Sequence, residues 1–241
     1  MNSTQKPVAI VTGASSGIGL GITLALIKQG YDVVGTSKSI SQSKELKASP
    51  DLVLIEGDIS KRETAVKVAA AAIEHFGRID LLVNNAGIFV AKPFTEYTED
   101  DYYSVMNTNV ASYFFMTQQV IPQMQKQNSG HVVNISAVLA DQPSRSVRAL
   151  LAVLSKSTMP AVSKALALEY AADNIRFNTV SPGNVNTPMH ANDDHAELAK
   201  FHPLGRMAEI SDIVDAVVYL QNATFVTGEN IRVDGGIHAG R

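Results

Sequence analysis

Cysteine is absent from this 241-residue chain. That excludes disulfides, thiolate nucleophiles and cysteine-ligated metal sites, and it makes a cytoplasmic location the expectation. An excess of either charge is also missing: 20 Lys and Arg stand against 23 Asp and Glu, a net charge of −3. Neither nucleic acid nor an anionic membrane surface is therefore an expected partner. Long apolar runs are scarce too. Leu150–Leu154 is stopped by Ser155-Lys156, and nothing reaches the length that spans a bilayer. The polar stretch Met1–Lys6 carries no apolar signal core, so no export segment is expected. No repeat and no long Pro/Gly/Ser linker divides the chain. With 45% apolar residues, one domain over residues 1–241 is the expected organisation.

What is present is a regular alternation. Val8–Val11, Val33–Gly35, Leu52–Ile55, Leu81–Val83, Val132–Ile135, Phe177–Val180 and Ile231–Val233 read as short buried strands. Helical spacing fills the intervals: Ile18, Ile22, Ala25 and Leu26 share one face, and Lys61–Phe76 and Ile213–Leu220 follow the same period. Glu99–Gln127 reads as a long helix bent at Pro122, and Leu150–Ala171 as another. Pro160 lacks the N–H that would bond the carbonyl of Lys156, which predicts a kink there. Ser39–Ser49 and Thr187–His202 read as polar connections. Strands separated by helices predict right-handed crossovers, and so an α/β chain: a single-domain Rossmann-type doubly wound parallel sheet.

The segment Val8–Leu20 is the most informative. A buried strand breaks into a turn with Gly13, Gly17 and Gly19, then opens a helix. Backbone N–H groups and a helix N-terminus facing one point make a pyrophosphate cradle, with Ser15, Ser16 and Ile18 on the same turn. An acidic residue at the end of the second strand would bond the ribose 2′-hydroxyl of NAD, but Ser37-Lys38 stand there. A hydroxyl and an ammonium suit a 2′-phosphate, so NADP(H) is expected in preference to NAD(H); a solvated surface lysine is the alternative for Lys38.

Further motifs follow in order: Gly57-Asp58-Ile59, Asn84-Asn85-Ala86-Gly87, Asn107-Thr-Asn109, Val133-Asn-Ile-Ser136, Ser163-Lys-Ala-Leu-Ala, Ser181-Pro182-Gly183, Phe225-Val-Thr-Gly228 and Val233-Asp-Gly-Gly236. Together with the glycine turn they resemble the short-chain dehydrogenase/reductases, and within them the 3-oxoacyl-carrier-protein reductase group. The resemblance implies that Asp58, with Ile59 beside it, meets the adenine; a helix cap is the alternative for Asp58. It implies that the backbone of Asn85, Ala86 and Gly87 lines the adenosine ribose, where a tight polar turn is the alternative. It places Pro182, Gly183, Val185 and Thr187 at the nicotinamide carboxamide, against the alternative of an ordinary loop.

The family's catalytic set is incomplete here. Counting back from Ser163 places the family's lysine at Lys156 and its proton-donating tyrosine at residue 152, which is alanine. The family's strand serine aligns with Ala137, one place after Ser136. Asn109 matches the asparagine that supports a water relay. The expected catalytic residues are thus Asn109, Ser136 and Lys156, with a water held by Asn109 and Lys156 where the ring would be. Lys156 as a ribose ligand without catalytic duty is the alternative, as is backbone bonding for Asn109. Ser155 lies one helical turn after Ala152.

Thr187–His202 occupies the place of the family's substrate lid, and the spacing of its histidines and aspartates does not point to a metal. Arg145 and Arg148 either flank the cleft or are solvated. Tyr113, Phe114, Phe115, Leu166 and Leu168 suit the helix pairing that the family uses between subunits, with core packing as the alternative; the resemblance implies a homodimer or homotetramer. Two functions fit: an NADP(H)-dependent oxidoreductase acting on a small-molecule carbonyl or alcohol with an altered proton donor, or a dinucleotide-binding sensor or scaffold with little turnover.

Overall fold

The β-branched runs become strands, those in the middle of the sheet buried on both faces, which is what a parallel sheet covered by helices on each side demands. The structure, a computed structural model, describes residues 5–240. In chain order it runs β1 (Val8–Thr12), α1 (Gly17–Lys28), β2 (Asp32–Ser37), β3 (Leu52–Glu56), α2 (Arg62–Phe76) and β4 (Leu81–Asn84). It continues with α3 (Glu99–Met106), α4 (Ser112–Gln127), β5 (Gly130–Ile135), α5 (Leu150–Lys156) and α6 (Thr158–Glu169). The last elements are β6 (Ile175–Pro182), α7 (His195–Ala199), α8 (Ile210–Asn222) and β7 (Asn230–Val233).

All seven strands lie parallel in one sheet ordered β3-β2-β1-β4-β5-β6-β7. The order reverses between β1 and β4, where Ala9 pairs with Leu81 and Val11 with Val83. Open sheets of this kind bind ligands outside the strand carboxyl ends at such a switch point. One core layer joins Ile22 and Leu26 of α1 to Ile213, Val217 and Leu220 of α8. The opposite layer joins Val68 and Ala72 of α2 to Met116, Val120 and Met124 of α4. Burying a side chain of this size contributes about 1.5–3 kcal/mol. The two layers hold the sheet rigid beneath its carboxyl edge.

Three helical expectations are refined. Residues 99–127 stay helical throughout, but Asn107–Ala111 widens into a π turn between α3 and α4. Pro122 lies inside α4 without ending it. The stretch read as one helix from Leu150 divides at Ser157. Pro160 then falls in the first turn of α6, where a missing N–H costs little. The polar stretch after Thr187 contains α7, whose first N–H groups are capped by the Asp194 carboxylate through Ala196 N (2.9 Å) and Glu197 N (3.1 Å). Among the described residues no helix is long and apolar enough to cross a membrane.

Candidate active site

The glycine turn after β1 is clamped to the turn after β4. Thr12 Oγ1 accepts from the N–H groups of Asn85 and Ala86, both at 3.0 Å, and Asn85 Nδ2 donates to Thr12 O at 2.9 Å. The Asn85 side chain is thus committed to the fold, leaving the backbone that follows it for a ligand. Gly13 has φ +67°, in the left-handed region that glycine favours. At Gly19 a Cβ would stand 2.2 Å from Gly13 O, so the turn and α1 approach more closely than any side chain permits. Ser16 precedes α1 without a side-chain cap, and the first turn holds no acidic residue. The leading N–H groups of α1 are therefore free of side-chain partners at the positive end of its dipole. That cradle suits a pyrophosphate.

A cavity of about 370 Å³ opens over this edge. Gly13, Ser15, Ser16, Gly17 and Ile18 line one end, Ala86 and Gly87 its floor, and Pro182, Gly183, Val185 and Thr187 the side under the lid. Thr187 stands over the start of α1, its Cβ 3.5 Å from where a Gly17 Cβ would be. At the far end lie Ser136, Ala137, Ala152 and Lys156.

Lys156 Nζ donates to Ile135 O at 2.7 Å, fixing the ammonium against the end of β5. Burial lowers its pKa to about 8, because the charged form loses hydration that one carbonyl does not replace. The carbonyl of Lys156, which Pro160 leaves without a helical donor, accepts from Ser136 Oγ at 2.8 Å. The predicted consequence of Pro160 is therefore present, and it has a use: it ties Ser136 to α5. While that hydroxyl donates to Lys156 O it cannot donate to a substrate oxygen.

Asn109 sits in the π turn with no exposed surface. Its Oδ1 accepts from Ile88 N at 2.8 Å, and its Nδ2 donates to Ile88 O at 3.0 Å and to Ser155 Oγ at 3.0 Å. The backbone-bonding alternative for Asn109 is thus realised. Ser155, rather than facing the cavity beside Ala152, is fully buried and donates to Leu151 O at 2.7 Å. A Cβ on Gly87 would meet Lys156 Nζ at 3.1 Å and Asn109 Oδ1 at 3.2 Å. A side chain at this position would press on both polar groups.

Other predicted positions lie apart from the cavity wall. Lys38 Nζ pairs with Asp58 Oδ2 at 3.2 Å across the ends of β2 and β3. Burial alone would raise the Asp58 pKa, but hydrogen bonds from Ser60 and Lys38 outweigh it and hold it below the usual carboxylate range. Asp58 does not cap α2, which begins after Lys61; its Oδ1 instead accepts from Ser60 N at 3.0 Å. The Ser37 hydroxyl is buried without a hydrogen-bond partner. The Ile59 side chain belongs to the core, so only its backbone can meet a ligand. Arg145 and Arg148 are exposed and do not line the cavity.

His202 had no assigned role in the sequence. It is buried, donates from Nδ1 to Leu198 O at 3.1 Å, and accepts from Asn184 N at Nε2 at 3.0 Å. It pins the lid to the loop after β6. One histidine of three in a polar stretch carries no periodic signal that would have shown this.

A family model described as enoyl-(acyl carrier protein) reductase matches residues 13–238. The chain is 32% identical to a putative ketoacyl reductase of the granaticin polyketide synthase from Streptomyces violaceoruber, over 98% of each chain. It superposes with a TM-score of 0.91 on a 3-ketoacyl-(acyl-carrier-protein) reductase from Brucella melitensis complexed with NADH, at 27% identity over 98% of this chain and 99% of that one. A second similar structure is ElxO with NADP bound, with a TM-score of 0.87 and 26% identity over 97% of this chain and 99% of that one. The chain belongs to the short-chain dehydrogenase/reductase family, and its relatives are oxidoreductases.

Proposed function

We propose that this protein is an NADP(H)-preferring oxidoreductase that interconverts a small carbonyl and its alcohol, with Lys156 and a water replacing the family's phenol. The observation that carries the reading is convergence: the uncapped start of α1 and the half-buried Lys156 face one cavity. The bound nicotinamide supplies or takes up hydride. The N–H groups of Gly17 and Ile18 hold the pyrophosphate, Ala86 and Gly87 line the adenosine ribose, and Pro182, Gly183, Val185 and Thr187 hold the carboxamide. Similar proteins carry NADP or NADH, which supports the cofactor class.

Lys156 holds the proton that the reduced substrate oxygen needs. A water at this ammonium passes that proton on, in the room left where residue 152 has only a methyl, while Asn109, committed to the Ile88 backbone, holds the floor in place. Ser136 positions Lys156 through its carbonyl and is not the proton donor. Asp58 exchanges Lys38 for the adenine amino group, while Lys38 turns to the 2′-phosphate with Ser37 beside it. Lys38→Ala is expected to weaken NADPH binding about tenfold, leaving NADH binding unchanged, since a charge-assisted hydrogen bond to phosphate is lost. Its effect on stability is expected to stay below about 1 kcal/mol, because the Lys38–Asp58 pair is exposed. Titrating both nucleotides against parent and variant checks this; equal losses for the two would refute the 2′-phosphate role.

Ala152 and Ala137 favour a second reading, a dinucleotide-binding sensor or scaffold that turns over little or nothing. NADPH consumption against a panel of carbonyls decides between the two. Phe114 and Leu168, 56% and 83% exposed, support a homodimer or homotetramer through α4 and α6.

A further inference from the structure

We infer that the substrate is an uncharged, predominantly apolar carbonyl compound, and that the cavity discriminates against carboxylates. The inference rests on the reading of this cavity as the carbonyl site. Beyond Ala152 its wall is made by Phe89, Val138, Leu139, Val147, Met189 and Phe201. These come from three separate stretches: the loop after β4, the loop between β5 and α5, and the lid. Phe89 and Met189 are 42% and 58% exposed, an arrangement that leaves apolar surface uncovered at a cavity mouth. Such surface marks a groove that a ligand completes.

Charge points the same way. Among the described residues no Asp, Glu or Arg lines the cavity, and Lys156 is the one lysine that does. That ammonium already donates to Ile135 O, and in the proposed reaction it is needed at the carbonyl oxygen. A carboxylate farther along the substrate would be desolvated among these side chains with no cation to meet it. Polar contacts near the rim come from Gln142, Ser144 and His190, which suits a hydroxyl or ester better than an acid.

Binding is measured calorimetrically, with and without NADPH, for straight-chain methyl ketones of increasing length and for oxo acids of matching length. Ketone affinity is expected to rise about fourfold per added methylene until the wall is filled. Oxo acids should bind about tenfold more weakly than ketones of equal length, and Met189→Arg, at an exposed position, should narrow or reverse that gap. Oxo acids binding as tightly as ketones in the parent, or affinity independent of chain length, would overturn the inference. Absence of NADPH binding with the ketone trend intact would refute the dinucleotide reading alone. NADPH binding without the ketone trend would refute the substrate class alone.

Discussion

Lys156→Met is expected to lower the rate of carbonyl reduction by about 10²–10⁴-fold, the usual worth of a positioned proton donor. NADPH binding should persist, because the pyrophosphate cradle lies at the other end of the cavity. The pH dependence distinguishes a proton donor from a ribose ligand. With a pKa of about 8, the ammonium carries its proton below that pH and loses it above. The reductive rate of the parent should therefore fall as pH rises through about 8. Stability should move oppositely. The folded pKa lies below the ordinary 10.5, so the unfolded chain binds more protons between these values and folding is favoured as pH rises from about 8 to 10.5. Melting curves of parent and Lys156→Met across that window should converge at high pH. A rate profile flat through pH 8 with intact turnover would remove Lys156 from proton transfer.

Ala152→Tyr is expected to act with comparable size and opposite sign, raising turnover by about 10²–10⁴-fold. Residue 152 lines the cavity one helical turn before Lys156, so both side chains project from one face of α5. A phenol there meets a nearby ammonium, which favours phenolate and lowers the proton-transfer barrier. The position is otherwise filled by a methyl with open space beyond it. Single-turnover oxidation of NADPH by parent and variant provides the measurement. Activity in the variant with none in the parent would identify the parent as a dinucleotide binder. A variant that binds nucleotide and gains nothing would show that the missing phenol does not limit the reaction.

Much of this architecture is legible in the sequence alone, because it depends on local chemistry. β-branched runs punctuated by helical spacing dictate a parallel sheet, and Gly13, Gly17 and Gly19 mark the tight crossover. The interruption at Ser157 follows from one absent N–H at Pro160. What was not legible depends on through-space partners. Nothing in the order of residues reveals that Ser136 would take up the carbonyl freed by Pro160, or that Asn109 would bond the backbone of Ile88 from a π turn. The Lys38–Asp58 pair and the burial of His202 against the loop after β6 likewise arise only when segments distant in sequence meet. Boundaries blurred for the same reason: α7 is too short to show a period.

Direct titration of the purified protein with NADPH tests the central claim, that a nicotinamide dinucleotide lies along the carboxyl edge of the sheet with its phosphates on the start of α1. Saturable binding with one nucleotide per chain, enhanced nicotinamide fluorescence and a raised melting temperature is the predicted result. A melting temperature and fluorescence unmoved by saturating NADPH or NADH would contradict it.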